Sequence, residues 1–154
     1  MAKPFRWNIA QREQLGGLIT GATETRSLND MFLESLRSTA ARILAHANRS
    51  DLAFIGRTPE NLYDYLSGCF EGLRDTPRLH LIQYSLRNAS AVDQLPEPAL
   101  QGLFEYLTAE GLGPKAIATG SRPIALVDFF ASGRTMEGLI RLMKLQAERE
   151  GQDW

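Results

Sequence analysis

The stretch I-A-L-V-D-F-F-A-S-G-R-T-M-E-G-L-I-R-L-M, residues 124–143, decides the fold of this chain. Its first half is an apolar run broken only by Asp128, and such a run predicts a short strand that is buried on both faces. Apolar residues then recur at helical spacing, at Met136, Leu139, Ile140 and Met143, which predicts an amphipathic helix. The stretch therefore predicts a buried strand that leads into a helix through a short loop of small residues.

The loop between this strand and this helix has the composition of an anion site. Backbone N–H groups and the positive end of the helix would point at one spot there, which favours a phosphate. Asp128, at the end of the strand, is placed to accept hydrogen bonds from the hydroxyls of a sugar that carries the phosphate. An ordinary strand–turn–helix unit is the alternative. The residues that would surround the phosphate are Ala131, Ser132, Gly133, Arg134 and Thr135.

A second strand–turn–helix pattern lies upstream, in residues 51–73. Its short apolar run ends at Gly56, which can turn the backbone or let a ligand approach closely. Thr58 followed by Pro59 is typical of a helix start, with Thr58 as the N-cap. Arg57 and Thr58 would therefore stand in front of a second helix N-terminus. For Arg57, a surface position or a bridge to a carboxylate is the alternative to ligand binding.

The remaining segments complete an α/β pattern. A third strand is predicted at residues 79–84, and the alternation of strands and helices predicts a parallel sheet in the order 79–84, 52–55, 124–129. Ligands of such open sheets bind at the carboxyl ends of the strands, so both turns would converge on one crevice. We expect N-terminal helices in residues 1–50 to cover the α/β core of residues 51–150, with a polar tail at 151–154.

Further helices are predicted outside the two turns, and their apolar faces indicate how they would pack. A long amphipathic helix over residues 28–47 would cover one face of the sheet or form a homodimer interface. The helix after Pro59 would bury Leu62, Leu66, Cys69, Phe70 and Leu73 on one face. Residues 85–98 are predicted to be a polar connection, longer than most loops. The polar residues from Gln146 onward are predicted to fray.

Composition narrows the class of protein. The 154 residues, with 44% hydrophobic residues and a net charge of −1, indicate one globular domain and no nucleic-acid partner. Cys69 is the single cysteine, which excludes an internal disulfide and a cysteine-based zinc site, and its apolar stripe predicts a core position. Neither a signal peptide nor a membrane span is predicted, so we expect a cytoplasmic protein with no membrane partner.

Residues 124–136 resemble the phosphoribosyl-pyrophosphate loop of the type I phosphoribosyltransferases. The shared pattern is an apolar run, an acid and a small-residue loop, and its ending Gly133-Arg134-Thr135-Met136 is close to the Gly-Lys-Thr-Met of the hypoxanthine-guanine enzymes. The chain departs from that family at two points. Phe129 stands where the family has a second acid, and the loop is slightly shorter.

The resemblance implies a phosphoribosyltransferase-like fold, with three layers around a small open parallel sheet, and a phosphorylated ribose as ligand. It implies that Asp128 is the catalytic residue that holds the ribose hydroxyls, that residues 131–135 hold the 5′-phosphate, and that Arg57 and Thr58 hold the pyrophosphate. Arg87 would lie in a mobile loop that closes over the site. Mg²⁺ would arrive bound to the pyrophosphate, without a metal site made by the protein. The alternative is a non-catalytic module that senses a nucleotide or sugar phosphate, which the missing second acid favours.

Overall fold

The computed structural model describes residues 30–85, 89–129 and 132–153. Contacts divide the chain into two compact units, residues 1–34 and residues 35–154. The described part of the first unit is the beginning of a helix. Both apolar clusters and the whole sheet lie within the second unit.

The described helices and strands alternate along the chain. In order they are α1 (Asp30–Ala47), β1 (Asp51–Ile55), α2 (Glu60–Phe70), β2 (Leu79–Ile82), α3 (Ala89–Asp93), α4 (Glu97–Ala109), α5 (Pro114–Thr119), β3 (Ile124–Val127) and α6 (Arg134–Arg149). No helix in this described part is long and apolar enough to cross a membrane.

The three strands form one parallel sheet in the order β2-β1-β3. Leu52 of β1 lies opposite Leu79 of β2, and Asp51 lies opposite Ile124 of β3. Parallel neighbours need crossover connections, which the intervening helices supply. The predicted α/β class, the parallel sheet and its strand order are therefore confirmed.

Helices cover both faces of this sheet, because successive side chains of a strand point to opposite faces. Leu52 and Phe54 of β1 pack with α1 and α2 in one apolar cluster. Ala53 and Ile55 pack with α3, α4 and α6 in the other. All four side chains are fully buried, as expected for a central strand of a parallel sheet.

β3 differs from β1 in burial, and the prediction that it is buried on both faces is wrong. Every residue of β3 is partly exposed. The reason is its place in the sheet: within the described residues β3 has β1 as its strand neighbour on one side and no strand on the other. An apolar run alone does not distinguish a central strand from an edge strand.

The start and the apolar face of α2 also differ from prediction. Pro59 occupies the N-cap position, and no side chain caps the helix, so the prediction of Thr58 as N-cap is wrong. The Pro59 carbonyl already accepts the N–H of Leu62. Cys69 is exposed, and not a core residue, because Phe70 occupies the inner position at the end of the helix. Leu73 lies beyond the helix and is 61% exposed.

Two polar segments are more ordered than predicted. Residues 85–98 contain the short helix α3, whose Val92 is fully buried. The C-terminal helix does not fray at Gln146, which is buried and donates from Nε2 to Thr108 Oγ1 at 2.9 Å and to Glu150 Oε1 at 2.8 Å. These hydrogen bonds satisfy the Gln146 Nε2, whereas its Oε1 has no hydrogen-bond partner among the described residues.

Two tyrosines near the end of β2 differ in the environment of their hydroxyls. Tyr84 is 5% exposed, its hydroxyl has no hydrogen-bond partner among the described residues, and burial raises its pKa to about 12. The Tyr106 hydroxyl accepts the N–H of Gln83 at 2.8 Å. An unpaired buried hydroxyl destabilises a fold, whereas a bonded one contributes to its stability.

Tyr84→Phe is therefore expected to raise the free energy of unfolding at neutral pH by roughly 1 kcal/mol, and Tyr106→Phe to lower it by a similar amount. Burial raises the pKa of Tyr84 in the folded state from its ordinary value of 10.0 to about 12. Above pH 10.0 the unfolded chain loses the Tyr84 proton more readily than the folded chain does. The free energy of unfolding therefore does not depend on this group below that pH and falls as the pH rises towards 12. Tyr84→Phe should remove this loss. Urea unfolding of both variants measures these effects, and equal destabilisation by both would contradict the assignment.

Candidate functional site

The carboxyl ends of β1 and β3 lie side by side, since Phe54 is opposite Val127 in the pairing of the two strands. β1 leads into α2 on one face of the sheet, and β3 leads into α6 on the other face. The chain therefore leaves the two neighbouring strands in opposite directions. Such a topological switch is the place where ligands of open α/β sheets bind.

The turn after β1 depends on Gly56, which has a φ of +77°. Its N–H donates to the carbonyl of Ile82 at 2.7 Å, which ties the turn to β2. A Cβ at this position would lie 3.4 Å from the Tyr84 carbonyl, an ordinary contact, so the backbone conformation rather than lack of space favours glycine. Arg57 and Thr58 follow β1 at the carboxyl edge of the sheet, and both are exposed.

Asp128 comes directly after β3 and is partly buried. Its Oδ1 accepts the N–H of Phe129 at 2.7 Å, which holds the carboxylate at the end of the strand. The pairing of Phe54 with Val127 places Asp128 next to the end of β1. Its Oδ2 has no hydrogen-bond partner among the described residues, so one oxygen is available to accept a hydroxyl.

The N-terminus of α6 has the features of an anion site. Gly133 is the N-cap in the left-handed conformation, with a φ of +74°, and no side chain caps the helix. The Gly133 carbonyl accepts the N–H of Glu137 at 3.0 Å, so the helix begins in regular geometry. The N–H groups of the first turn have no intrahelical partner and lie at the positive end of the helix dipole. Ser132 and Arg134 are exposed beside them, and Thr135 is partly buried.

The structure brings most of the predicted site residues to one edge of the sheet. Arg57 and Thr58 stand after β1, and Asp128 and residues 132–135 stand after β3. The predicted site residues Ala131 and Arg87 lie outside the described residues.

Phe129 is the feature that the sequence did not reveal. The apolar run had suggested a buried strand position, but Phe129 lies beyond the end of β3 and is 55% exposed beside Asp128. An aromatic ring in this position offers a surface against which a flat ligand can stack. β3 ends at Val127, which leaves Phe129 in the loop. The apolar run does not show where the strand ends, so it does not reveal this exposure.

Metal binding by the protein alone finds no support in the described residues, where no three His, Cys, Asp or Glu side chains are grouped to hold an ion. Mg²⁺ is commonly bound through one or two carboxylates together with substrate phosphates and water. Asp128 directly follows β3 and could contribute to such a shared site, and Glu60 and Glu137 lie at the same edge in the first turns of α2 and α6.

Comparisons by sequence and by structure found no family model, no curated protein and no solved structure that matches this chain.

Proposed function

We propose that this chain binds a phosphorylated ribose in the crevice at the carboxyl ends of β1 and β3. One observation carries the proposal: a left-handed Gly133 opens α6 without a side-chain cap, on the strand connection that begins with the carboxylate of Asp128. The first feature offers free N–H groups to a phosphate, and the second offers an acceptor to sugar hydroxyls.

Each side of the crevice has a distinct role in this proposal. The N–H groups at the start of α6, with the hydroxyls of Ser132 and Thr135, hold the 5′-phosphate. Arg134 adds a positive charge beside them. Across the crevice, Arg57 and the backbone of Thr58 hold a second phosphoryl group such as pyrophosphate, where a guanidinium matches the geometry of phosphate oxygens.

Phosphoribosyl transfer is the reaction that this arrangement supports. The bond between the anomeric carbon and the pyrophosphate oxygen breaks, pyrophosphate leaves with both electrons, and a nucleophile forms the new bond to the same carbon. Positive charge builds on the ribose during this step, and Asp128 would stabilise it through the hydroxyls that it holds. Mg²⁺ bound to pyrophosphate would neutralise the leaving group.

A sensor of nucleotides or sugar phosphates is the second candidate. The exposed ring of Phe129 favours it, because that ring stands where the transferases have a second acid and could instead stack against a base. One carboxylate also holds a ribose diol less firmly than two. Release of pyrophosphate from phosphoribosyl pyrophosphate with magnesium and a panel of bases separates the two candidates.

A thermal-shift screen tests the proposed binding. Ribose 5-phosphate, a nucleoside monophosphate, and phosphoribosyl pyrophosphate with magnesium should each raise Tm by several degrees at saturation, since a ligand at about 100 times its Kd adds roughly 2.7 kcal/mol. Unphosphorylated ribose should have no effect at the same concentration. A screen in which no phosphorylated ribose raises Tm would overturn the proposal.

A further inference from the structure

Within the described residues, the outer edge of β3 has no strand neighbour, and all four residues of β3 are partly exposed. Near β2, His80 Nδ1 lies 2.6 Å from the Glu110 carbonyl oxygen, and the Gln83 N–H donates to the Tyr106 hydroxyl. Along β3, within the described residues, no strand occupies the side away from β1. Natural edge strands usually carry a charge, a proline or a bulge that prevents pairing with another chain. Residues 124–127 are I-A-L-V and contain no such residue.

The pairing register shows which backbone groups face outward. The Asp51 N–H of β1 donates to the Pro123 carbonyl. In a parallel ladder the residues that bond with the neighbouring strand alternate, so Pro123, Ala125 and Val127 direct their backbone groups towards β1. The residues between them, Ile124 and Leu126, direct their N–H and C=O groups away from the sheet. These groups are available for a further strand.

A groove of about 320 Å³ runs along this edge, between β3 and α1. The Leu126 side chain packs in the apolar cluster on the opposite face of the sheet. Leu126 therefore lines the groove with its main chain, in agreement with the register. The wall formed by α1 consists of Thr39, Arg42, Ile43, His46 and Ala47.

We propose that this groove binds an extended, acidic peptide segment of a partner protein, which joins the sheet as a strand beside β3. Strand addition of this kind takes its affinity from main-chain hydrogen bonds and its specificity from alternate side chains. A peptide carboxylate on the side of α1 would meet Arg42, which is exposed and has no ion-pair or hydrogen-bond partner among the described residues. His46 lies on the same wall. Asp128, directly after β3, also lines the groove and disfavours a carboxylate at that end.

A second copy of this chain fits the groove less well. Two β3 strands that pair about a two-fold axis would be antiparallel, and both α1 helices would lie on the same face of the joined sheet. Both Arg42 side chains would then lie on that face, where α1 contributes no acid to the lining of the groove. An acidic segment of another protein supplies the opposite charge.

A synthetic octapeptide of alternating valine and glutamate is the probe for this groove. We expect it to bind the isotope-labelled full chain and to slow hydrogen exchange at the amides of Ile124 and Leu126, while those of Ala125 and Val127 are protected with or without peptide. The same peptide with glutamine for glutamate should bind about 10-fold more weakly, the scale of a charged hydrogen bond. A fully N-methylated peptide, which lacks donors, should not bind.

Paired variants of α1 locate the contact. Arg42→Gln should weaken binding of the glutamate peptide about 10-fold, whereas Arg37→Gln, an exposed arginine of the same helix outside the groove, should leave it unchanged. Neither residue belongs to the ribose-phosphate crevice, so the two proposals can fail separately. Any of three results would overturn the proposal. The glutamine peptide could bind as tightly as the glutamate peptide, or the amides of Ile124 and Leu126 could stay unprotected at saturating peptide. The third result is a dimer in which these amides are already protected without peptide.

Discussion

Gly133→Val is expected to weaken binding of ribose 5-phosphate by about 100-fold or more. Gly133 has a φ of +74°, where a β-branched residue is strained. The added side chain would also stand between the phosphate and the N–H groups at the start of α6. Loss of two hydrogen bonds to a charged group, at about 1.5–3 kcal/mol each, corresponds to this factor. Isothermal titration calorimetry measures the change.

Two further variants separate the loss of binding from the loss of stability. Gly72 has the same φ of +74°, and a Cβ there would meet nothing within 4 Å. Gly72→Val should therefore carry a similar backbone strain and retain full affinity. Asparagine adopts the left-handed conformation more readily than valine does, but it still adds a side chain at position 133. Gly133→Asn should therefore lose affinity for ribose 5-phosphate while remaining folded. Wild-type affinity in a folded Gly133→Asn variant would contradict the phosphate site.

Asp128→Asn is expected to have the second largest effect, and the kind of effect identifies the function. If the chain transfers phosphoribosyl groups, kcat should fall by roughly one to three orders of magnitude, as expected when a preorganised electrostatic group is lost. If the chain is a sensor, affinity should fall by roughly 1–3 kcal/mol and neither form should turn over. Pyrophosphate release and ligand titration, measured on the same preparations, distinguish these outcomes.

Asp75→Asn provides the matched control for Asp128→Asn. Asp75 is exposed in the connection before β2, at the amino ends of the strands and so at the opposite edge of the sheet. Asp75→Asn removes one negative charge, as Asp128→Asn does, at a position outside the crevice. Both ligand affinity and any turnover should be unchanged in this variant. An equal loss in both variants would indicate an effect of net charge and contradict a direct role for Asp128.

The strand order and the position of the candidate residues at the carboxyl edge of the sheet could be predicted from the sequence because local signals carry them. Residues 52–55 and 124–127 are short apolar runs, each followed by a turn with glycine and a helix. Such units join parallel strands through right-handed crossovers, which leaves few possible orders. Asp128 and Gly133 could be singled out for the same reason, since both lie in one continuous strand–loop–helix stretch.

Burial depends on contacts between distant parts of the chain, and here the sequence was a poorer guide. Gln146 looks like a residue of a polar tail, yet it is buried through its bond to Thr108 on α4. Cys69 follows the apolar period of α2, yet Phe70 takes the inner position. The exposure of Phe129 likewise depends on where the sheet ends, which the apolar run does not show.

The most direct test of the proposed ribose-phosphate site is an NMR titration of the isotope-labelled chain with ribose 5-phosphate. The amides of Gly56, Arg57, Gly133 and Arg134 should shift together and saturate at one ligand concentration, because both turns contact the same molecule. Unphosphorylated ribose should leave the amide of Gly133 unchanged. If ribose 5-phosphate at millimolar concentration moves none of these amides in the folded protein, the crevice between β1 and β3 is not a phosphorylated-ribose site.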